Sequence, residues 1–151
     1  MVCKRLPKKN TYLRENAGVK LIGILNYENG HVYCEEYDKY DAKVFLKFLK
    51  KVLKNYPKGK IIMILDNARI HHVKLLKSFL DEMNERIQLM FLPSYSPNLN
   101  LIERLWGWLK SAVINNVFFN NIFQVRKSVQ NFINHINKVP TETINRLCIK
   151  M

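Results

Sequence analysis

The 151-residue chain has no long hydrophobic run, its longest uninterrupted apolar stretch being the five residues 61–65. A bilayer-spanning helix needs about 20 such residues, and no apolar signal core follows the charged N-terminus. Cysteine is scarce. Cys3, Cys34 and Cys148 are odd in number and far apart, a spacing that fits neither a disulfide framework nor a zinc cluster and points to a reducing cytosolic setting. Acids are scarce too, with 12 Asp and Glu against 25 Lys and Arg and none between Ala42 and Leu65. The resulting net charge of +13 points to an anionic polymer as partner, most simply nucleic acid, through release of counterions at phosphates. A membrane surface is the weaker rival, because the basic residues are spread over several elements rather than gathered on one amphipathic anchor. Internal repeats and low-complexity linkers are absent as well, and the expectation is a soluble, internal protein.

What is present is enough for one globular domain: 48% of residues are hydrophobic and 25% charged, in a chain long enough to bury a core. Residues 1–18 carry Lys4, Arg5, Lys8, Lys9 and Arg14 against Glu15, with Pro7 and Asn10 breaking any period. They are expected to form a basic extended arm, either along a phosphate backbone or as a solvated terminus. Residues 19–27 and 31–37 read as two strands joined by the turn chemistry of Glu28-Asn29-Gly30. Residues 41–55 read as a helix with Phe45, Phe48, Leu49 and Val52 on one face and Lys43, Lys47, Lys50 and Lys54 on the other. Residues 60–65 form a continuous apolar run, expected as a strand buried on both faces. A helix over 70–84, a strand over 87–92, a helix from about 101 to 114 and a last helix from about 122 follow, with Pro140 stopping the last one.

Two acids stand out. Asp66 ends the apolar strand, at the edge where open α/β sheets bind ligands; it would otherwise cap the next helix or pair with Arg69. Glu103 lies in the first turn of a helix. With Asn100 it would make a capping box, and an acid there also suits the helix dipole. Together, in a basic chain with few other acids, they suggest carboxylate ligands for Mg²⁺ or Mn²⁺ in phosphodiester chemistry. Asn67 could orient a ligand, and Arg69, His71, His72 and Lys110 could touch phosphate. The adjacent histidines do not suit zinc and more commonly cap or pack. Gly107, one turn beyond Glu103, leaves the carboxylate uncrowded. Trp106 falls on the core stripe, whereas Trp108 falls off it and could stack on a base or on a partner subunit.

The segments Leu65-Asp66-Asn67-Ala68 with His71 or His72, Leu92-Pro93-Ser94-Tyr95-Ser96-Pro97, Leu99-Asn100, Ile102-Glu103, Trp106 and Leu109-Lys110 resemble the catalytic domain of the bacterial insertion-sequence branch of the mariner-like transposases, whose acids form a D,D,E triad. The resemblance runs from near the N-terminus to about Asn137. It implies a ribonuclease-H-like fold, an α/β mixed sheet with flanking helices. It also implies Asp66 as second acid, Glu103 as third and two divalent ions as cofactor. The implied reaction is hydrolytic cutting at transposon ends followed by strand transfer into TA dinucleotides. Leu101 departs from the proline that the family usually places after the loop asparagine.

The larger departure is at the front. The family's first acid lies on the first, central strand, and no apolar strand ending in Asp precedes Val19. The family's N-terminal helix-turn-helix is missing too, and Asp38 and Asp41 follow the hairpin, in the wrong place for the first acid. The layout expected is therefore a basic arm over 1–18, a catalytic domain over 19–139 that lacks its first central strand, and a tail over 140–151. The chain then resembles the C-terminal part of a bacterial, nucleoid-associated transposase, inactive or impaired alone, partnered by DNA and either by itself or by an upstream transposase fragment. A non-catalytic DNA-binding or subunit-interaction protein is the alternative. A ribonuclease of the same fold class is a weaker third reading, disfavoured by the loop leading into Glu103.

Overall fold

The computed structural model describes residues 19–93, 101–115 and 117–147, together with the backbone of residues 2–5. Five strands form one mixed sheet: β1 (Val2–Arg5), β2 (Leu21–Leu25), β3 (Val32–Glu36), β4 (Ile61–Leu65) and β5 (Ile87–Phe91), in the order β3-β2-β1-β4-β5. β1 is antiparallel to β2 and parallel to β4. The expectation of a vacant central position is thereby corrected, because residues 2–5 of the supposed arm occupy it. Backbone amides and carbonyls on the facing edges of β2 and β4 need partners whatever side chains the intervening strand carries. The sequence Val-Cys-Lys-Arg has no strand pattern to announce that role. Residues 6–18, including Lys8 and Lys9, lie outside the described residues.

β2 and β3 form the expected hairpin. A four-residue loop closes it through Gly30 N–H to Asn26 O (2.8 Å) and Asn26 N–H to His31 O (2.9 Å). Gly30 takes φ +76°, and a Cβ there would stand 2.0 Å from the carbonyl oxygen of Pro140, so both backbone and space require glycine.

Alternation along the strands sends side chains to two cores. Ile22, Ile24, Ile61, Met63, Leu65 and Ile87 face α1 (Ala42–Asn55) and α2 (Lys74–Glu82), where they meet Phe45, Phe48, Leu49 and Leu76. Leu21 and Leu25 face the other way, onto α3 (Leu101–Leu109), α4 (Ile122–Lys138) and α5 (Pro140–Leu147). α1 begins as expected, with the Asp41 carboxylate accepting from Val44 N–H at 2.9 Å, and its four lysines stay exposed. Burial of β4 on both faces does not hold, since Ile62 is 48% exposed.

Other elements depart from the periodicity. The helix expected over 70–84 is a 3₁₀ turn, Arg69–His72, followed by α2, because Val73 is extended (φ −72°, ψ 142°). α3 runs into a π-helical turn, Lys110–Ile114. Pro140 does stop α4, but it also opens α5, since its fixed φ and missing N–H suit a first helical position. The expected tail is thus part of the core over 140–147: Thr143 and Leu147 are buried, and the Thr143 hydroxyl donates to Ile136 O at 3.2 Å. Asn137 ties this end to the hairpin, accepting from Val32 N–H and donating to Val32 O, both at 2.8 Å. No described helix is long and apolar enough to cross a membrane.

Candidate acidic site at the sheet edge

Asp66 follows the last residue of β4, whose backbone is pinned on one side by the parallel ladder to β5 and by Leu92 N–H donating to Leu65 O at 2.9 Å. Leu65 points into the α1-side core, so position 66 falls on the opposite face, the side covered by α3. The side chain of Asp66 is 42% exposed, with Oδ1 3.4 Å from Nε2 of His71. Neither the 3₁₀ turn nor α2 is capped by a side chain, which removes the capping role for Asp66.

His71 is 3% exposed. Its ring is wedged against Phe45 (centroids 4.5 Å apart) and Phe91 (6.3 Å). The expectation that it touches phosphate is corrected: it is a packed residue that backs Asp66 from the core. His72 is exposed, bonded to the Asn67 amide oxygen and stacked on Phe91 at 4.5 Å. That bond occupies Asn67, the residue expected to orient a ligand. Arg69 is exposed beside them.

Glu103 lies in the first turn of α3. It is half-buried, and its Oε1 is shielded from solvent. Asn100, its expected capping partner, lies outside the described residues. α3 is held against the sheet by Ile102, Leu105, Trp106 and Leu109. Trp106 presses on Gly23 of β2, where a Cβ would stand 2.8 Å from the indole ring. That glycine, needed for the close approach of helix to strand, carried no signal in the strand pattern beyond being a glycine amid apolar residues. Lys110 sits two turns beyond Glu103, half-buried at the start of the π-helical turn. Trp108 is half-buried within the chain: its ring meets Phe132 edge-on at 5.0 Å and the Arg146 guanidinium lies 4.5 Å from its centroid. Gly107 is exposed, and a Cβ there would meet nothing within 4 Å, so it does not serve to clear space for Glu103.

The chain is matched over residues 4–126 by the family described as DDE superfamily endonuclease. It belongs to that family. It is 30% identical over 127 residues to the insertion element IS630 uncharacterized 39 kDa protein of Shigella sonnei, covering 83% of this chain and 37% of that protein. The fold is that of the crystal structure of the catalytic domain of Mos1 mariner transposase, with a TM-score of 0.65 at 15% identity over 97% of this chain and 77% of that one. It also matches the Mos1 strand transfer complex, with a TM-score of 0.69 at 19% identity over 93% of this chain and 43% of that one. The chain therefore spans well under half the length of the IS630 protein. The DDE endonuclease domain and its ribonuclease-H-like architecture, expected from the resemblance of the segments around Asp66 and Glu103, stand.

Members of this superfamily use divalent metal ions, so the donor set can be tested against that chemistry. A hard cation such as Mg²⁺ needs near-octahedral oxygen ligation, and a two-ion site needs carboxylates from several positions. Among the described residues no three of His, Cys, Asp and Glu come together as a donor set. Asp66 and Glu103 supply two carboxylates, and the third nearby group, His71, turns its Nε2 to Asp66 and is enclosed by aromatic rings. The described residues do not fit a two-metal centre.

Proposed function

We propose that this chain is a transposase-derived DNA-processing domain in which Asp66 and Glu103 occupy two acid positions of a DNA cutting and joining site. What carries the reading is the placement of Asp66 at the carboxyl end of β4 and Glu103 on the helix packed over the same sheet face, within the stretch matched to the endonuclease family. The substrate is DNA, in keeping with the net charge of +13. By resemblance it is the ends of an insertion element, joined into TA targets, with Mg²⁺ or Mn²⁺ as the ions of a complete site. Arg69, exposed three residues beyond Asp66, and Lys110, half-exposed two turns beyond Glu103, are assigned to phosphate. Lys4 and Arg5, first assigned to the same role, lie within β1. The setting is bacterial cytoplasm, at the nucleoid.

With two acids rather than three, the chain by itself is proposed not to cut. The test is incubation of the purified chain with labelled insertion-element end DNA and 5 to 10 mM Mg²⁺ or Mn²⁺, a range of roughly millimolar order suited to weak Mg²⁺ sites. The expected outcome is DNA binding without nicking; robust cutting abolished by Asp66→Asn would overturn the inactive assignment.

The second reading, a DNA-binding or subunit-interaction domain without chemistry, is favoured by the exposed ridge of Lys43, Lys47, Lys50 and Lys54 on α1. Charge reversal of these four lysines lowers the salt dependence of DNA binding if α1 is the contact surface, and leaves the slope unchanged if it is not.

A further inference from the structure

β3 is an edge strand, and alternate residues of an edge strand turn their main-chain N–H and C=O away from the sheet. Tyr37 N–H donates inward to Lys20 O, and His31 O accepts from Asn26 N–H. The odd positions therefore serve the hairpin, while Val32, Cys34 and Glu36 turn outward. At Val32 the outward groups are satisfied, since the Asn137 carboxamide accepts from its N–H and donates to its C=O, both at 2.8 Å. Among the described residues no group does the same for the main chain of Cys34 or Glu36. α4 runs antiparallel along this edge and is fastened to it twice, by Asn137 at one end and at the other by the Arg126 guanidinium, 2.8 Å from the Glu36 carboxylate. The two fastenings are roughly 16 Å apart along α4 and roughly 14 Å apart along β3. Between them lies a cavity of about 280 Å³, floored by Leu21, Cys34, Val129 and Ile133 and rimmed by Arg126, Lys127 and Gln130. No acid occurs from residue 104 to residue 141, so the helix wall of this groove is positive.

We propose that the groove between β3 and α4 receives an extended segment of a partner protein, added antiparallel to β3 and read as an acidic residue, any residue, then an apolar one. A helix beside an open strand edge suits this mode, in which main-chain bonds give affinity and pockets for alternate side chains give selectivity. Residues directly opposite in an antiparallel pair share a face. The peptide residue facing Cys34 thus turns its side chain into the apolar cavity, which lies on the side of the Cys34 side chain. The residue facing Glu36 comes two positions earlier in the peptide and turns towards Arg126 and Lys127. Arg126 is shared with Glu36, and Lys127, exposed at the next position of α4, supplies the second cation. A DNA backbone has no donor for the outward carbonyls of Cys34 and Glu36, which assigns the groove to a peptide. The proposal does not depend on Asp66 or Glu103.

The experiment is fluorescence anisotropy of the full chain with a labelled heptapeptide, Ser-Thr-Glu-Val-Leu-Thr-Ser. Binding is expected with a Kd on the order of 10–100 μM, the range of a small transient contact. The same peptide with its glutamate and leucine exchanged should bind about fivefold more weakly, and the peptide N-methylated at leucine about tenfold more weakly, because it loses the donor that faces the Cys34 carbonyl. Lys127→Glu, an exposed substitution whose folding is checked by a circular dichroism melt, should weaken binding about fivefold and turn the preference towards a peptide with lysine in place of glutamate. No binding up to about 1 mM peptide overturns the proposal. Equal binding of the N-methylated peptide overturns the strand pairing. Equal binding of the exchanged peptide, or an unchanged preference in Lys127→Glu, overturns the reading of acid and apolar positions.

Discussion

Glu35 and Asp66 are both carboxylates at the sheet, and the surroundings of the two differ. Glu35, on the edge strand β3, accepts at Oε1 from the Tyr33 hydroxyl (2.5 Å) and at Oε2 from the Tyr37 hydroxyl (2.7 Å) and the Lys51 ammonium of α1 (2.6 Å). Burial pushes its carboxyl group up, but Lys51 and the two tyrosines outweigh that and hold it below the usual 4.5. In turn, burial and the neighbouring carboxylate push Tyr33 up to about 12. Asp66 ends a central strand with 42% of its side chain exposed and with a 3.4 Å approach to His71. An acid that ties a strand to a helix has both oxygens saturated by protein donors. Asp66, at the carboxyl edge of the sheet, keeps part of its side chain in solvent.

The comparison can be sharpened most by Gly23→Ala. Its Cβ would meet the Trp106 ring at 2.8 Å, displacing α3, and Glu103 with it, at a cost of about 1–3 kcal/mol in denaturant unfolding. The Glu35 network should be untouched, so the absorbance titration of Tyr33 should stay where it is in the wild type.

A smaller effect is expected at Glu35. A folded-state value below the unfolded one contributes stability at pH above the ordinary carboxylate range, and that contribution is lost as pH falls through it. Glu35→Gln should lower stability by about 1 kcal/mol at pH 7, discounted for partial exposure. The difference from wild type should shrink between roughly pH 5 and pH 3 in melts across that range. A difference that stays constant with pH would mean that the network does not hold the charge.

Least costly should be Asp66→Asn, within about 0.5 kcal/mol of wild type, because its side chain is more exposed than that of Glu35. If it destabilises the chain as much as Glu35→Gln does, the division into a structural and a ligand-facing acid fails.

Much of the architecture was legible. The α1 stripe of Phe45, Phe48, Leu49 and Val52 is the core of one layer, and the five-residue apolar run is β4. The two acids were found because each stands at a junction, one where an apolar run stops and one where a helical period starts. What escaped lies where contacts decide. His71 looks in sequence like its neighbour His72, yet one is enclosed and the other exposed, since a 3₁₀ turn sends adjacent side chains in different directions. Trp108 falls off the α3 stripe but is claimed by Phe132 and Arg146 from α4 and α5. Pro140, which ends one helix, starts another.

The amino-acid sequence by itself determined the family, the hairpin, the lysine-faced helix and the positions of Asp66 and Glu103, because periodicity and strand-end chemistry are local properties of the chain. Only the tertiary structure decided what fills the centre of the sheet. Val2–Arg5 lies between β2 and β4 because backbone hydrogen bonding makes no demand on side-chain pattern. The resulting register sets Val2 beside Ile64 and Cys3 beside Leu65, pairings between distant parts of the chain that no local signal in either segment encodes.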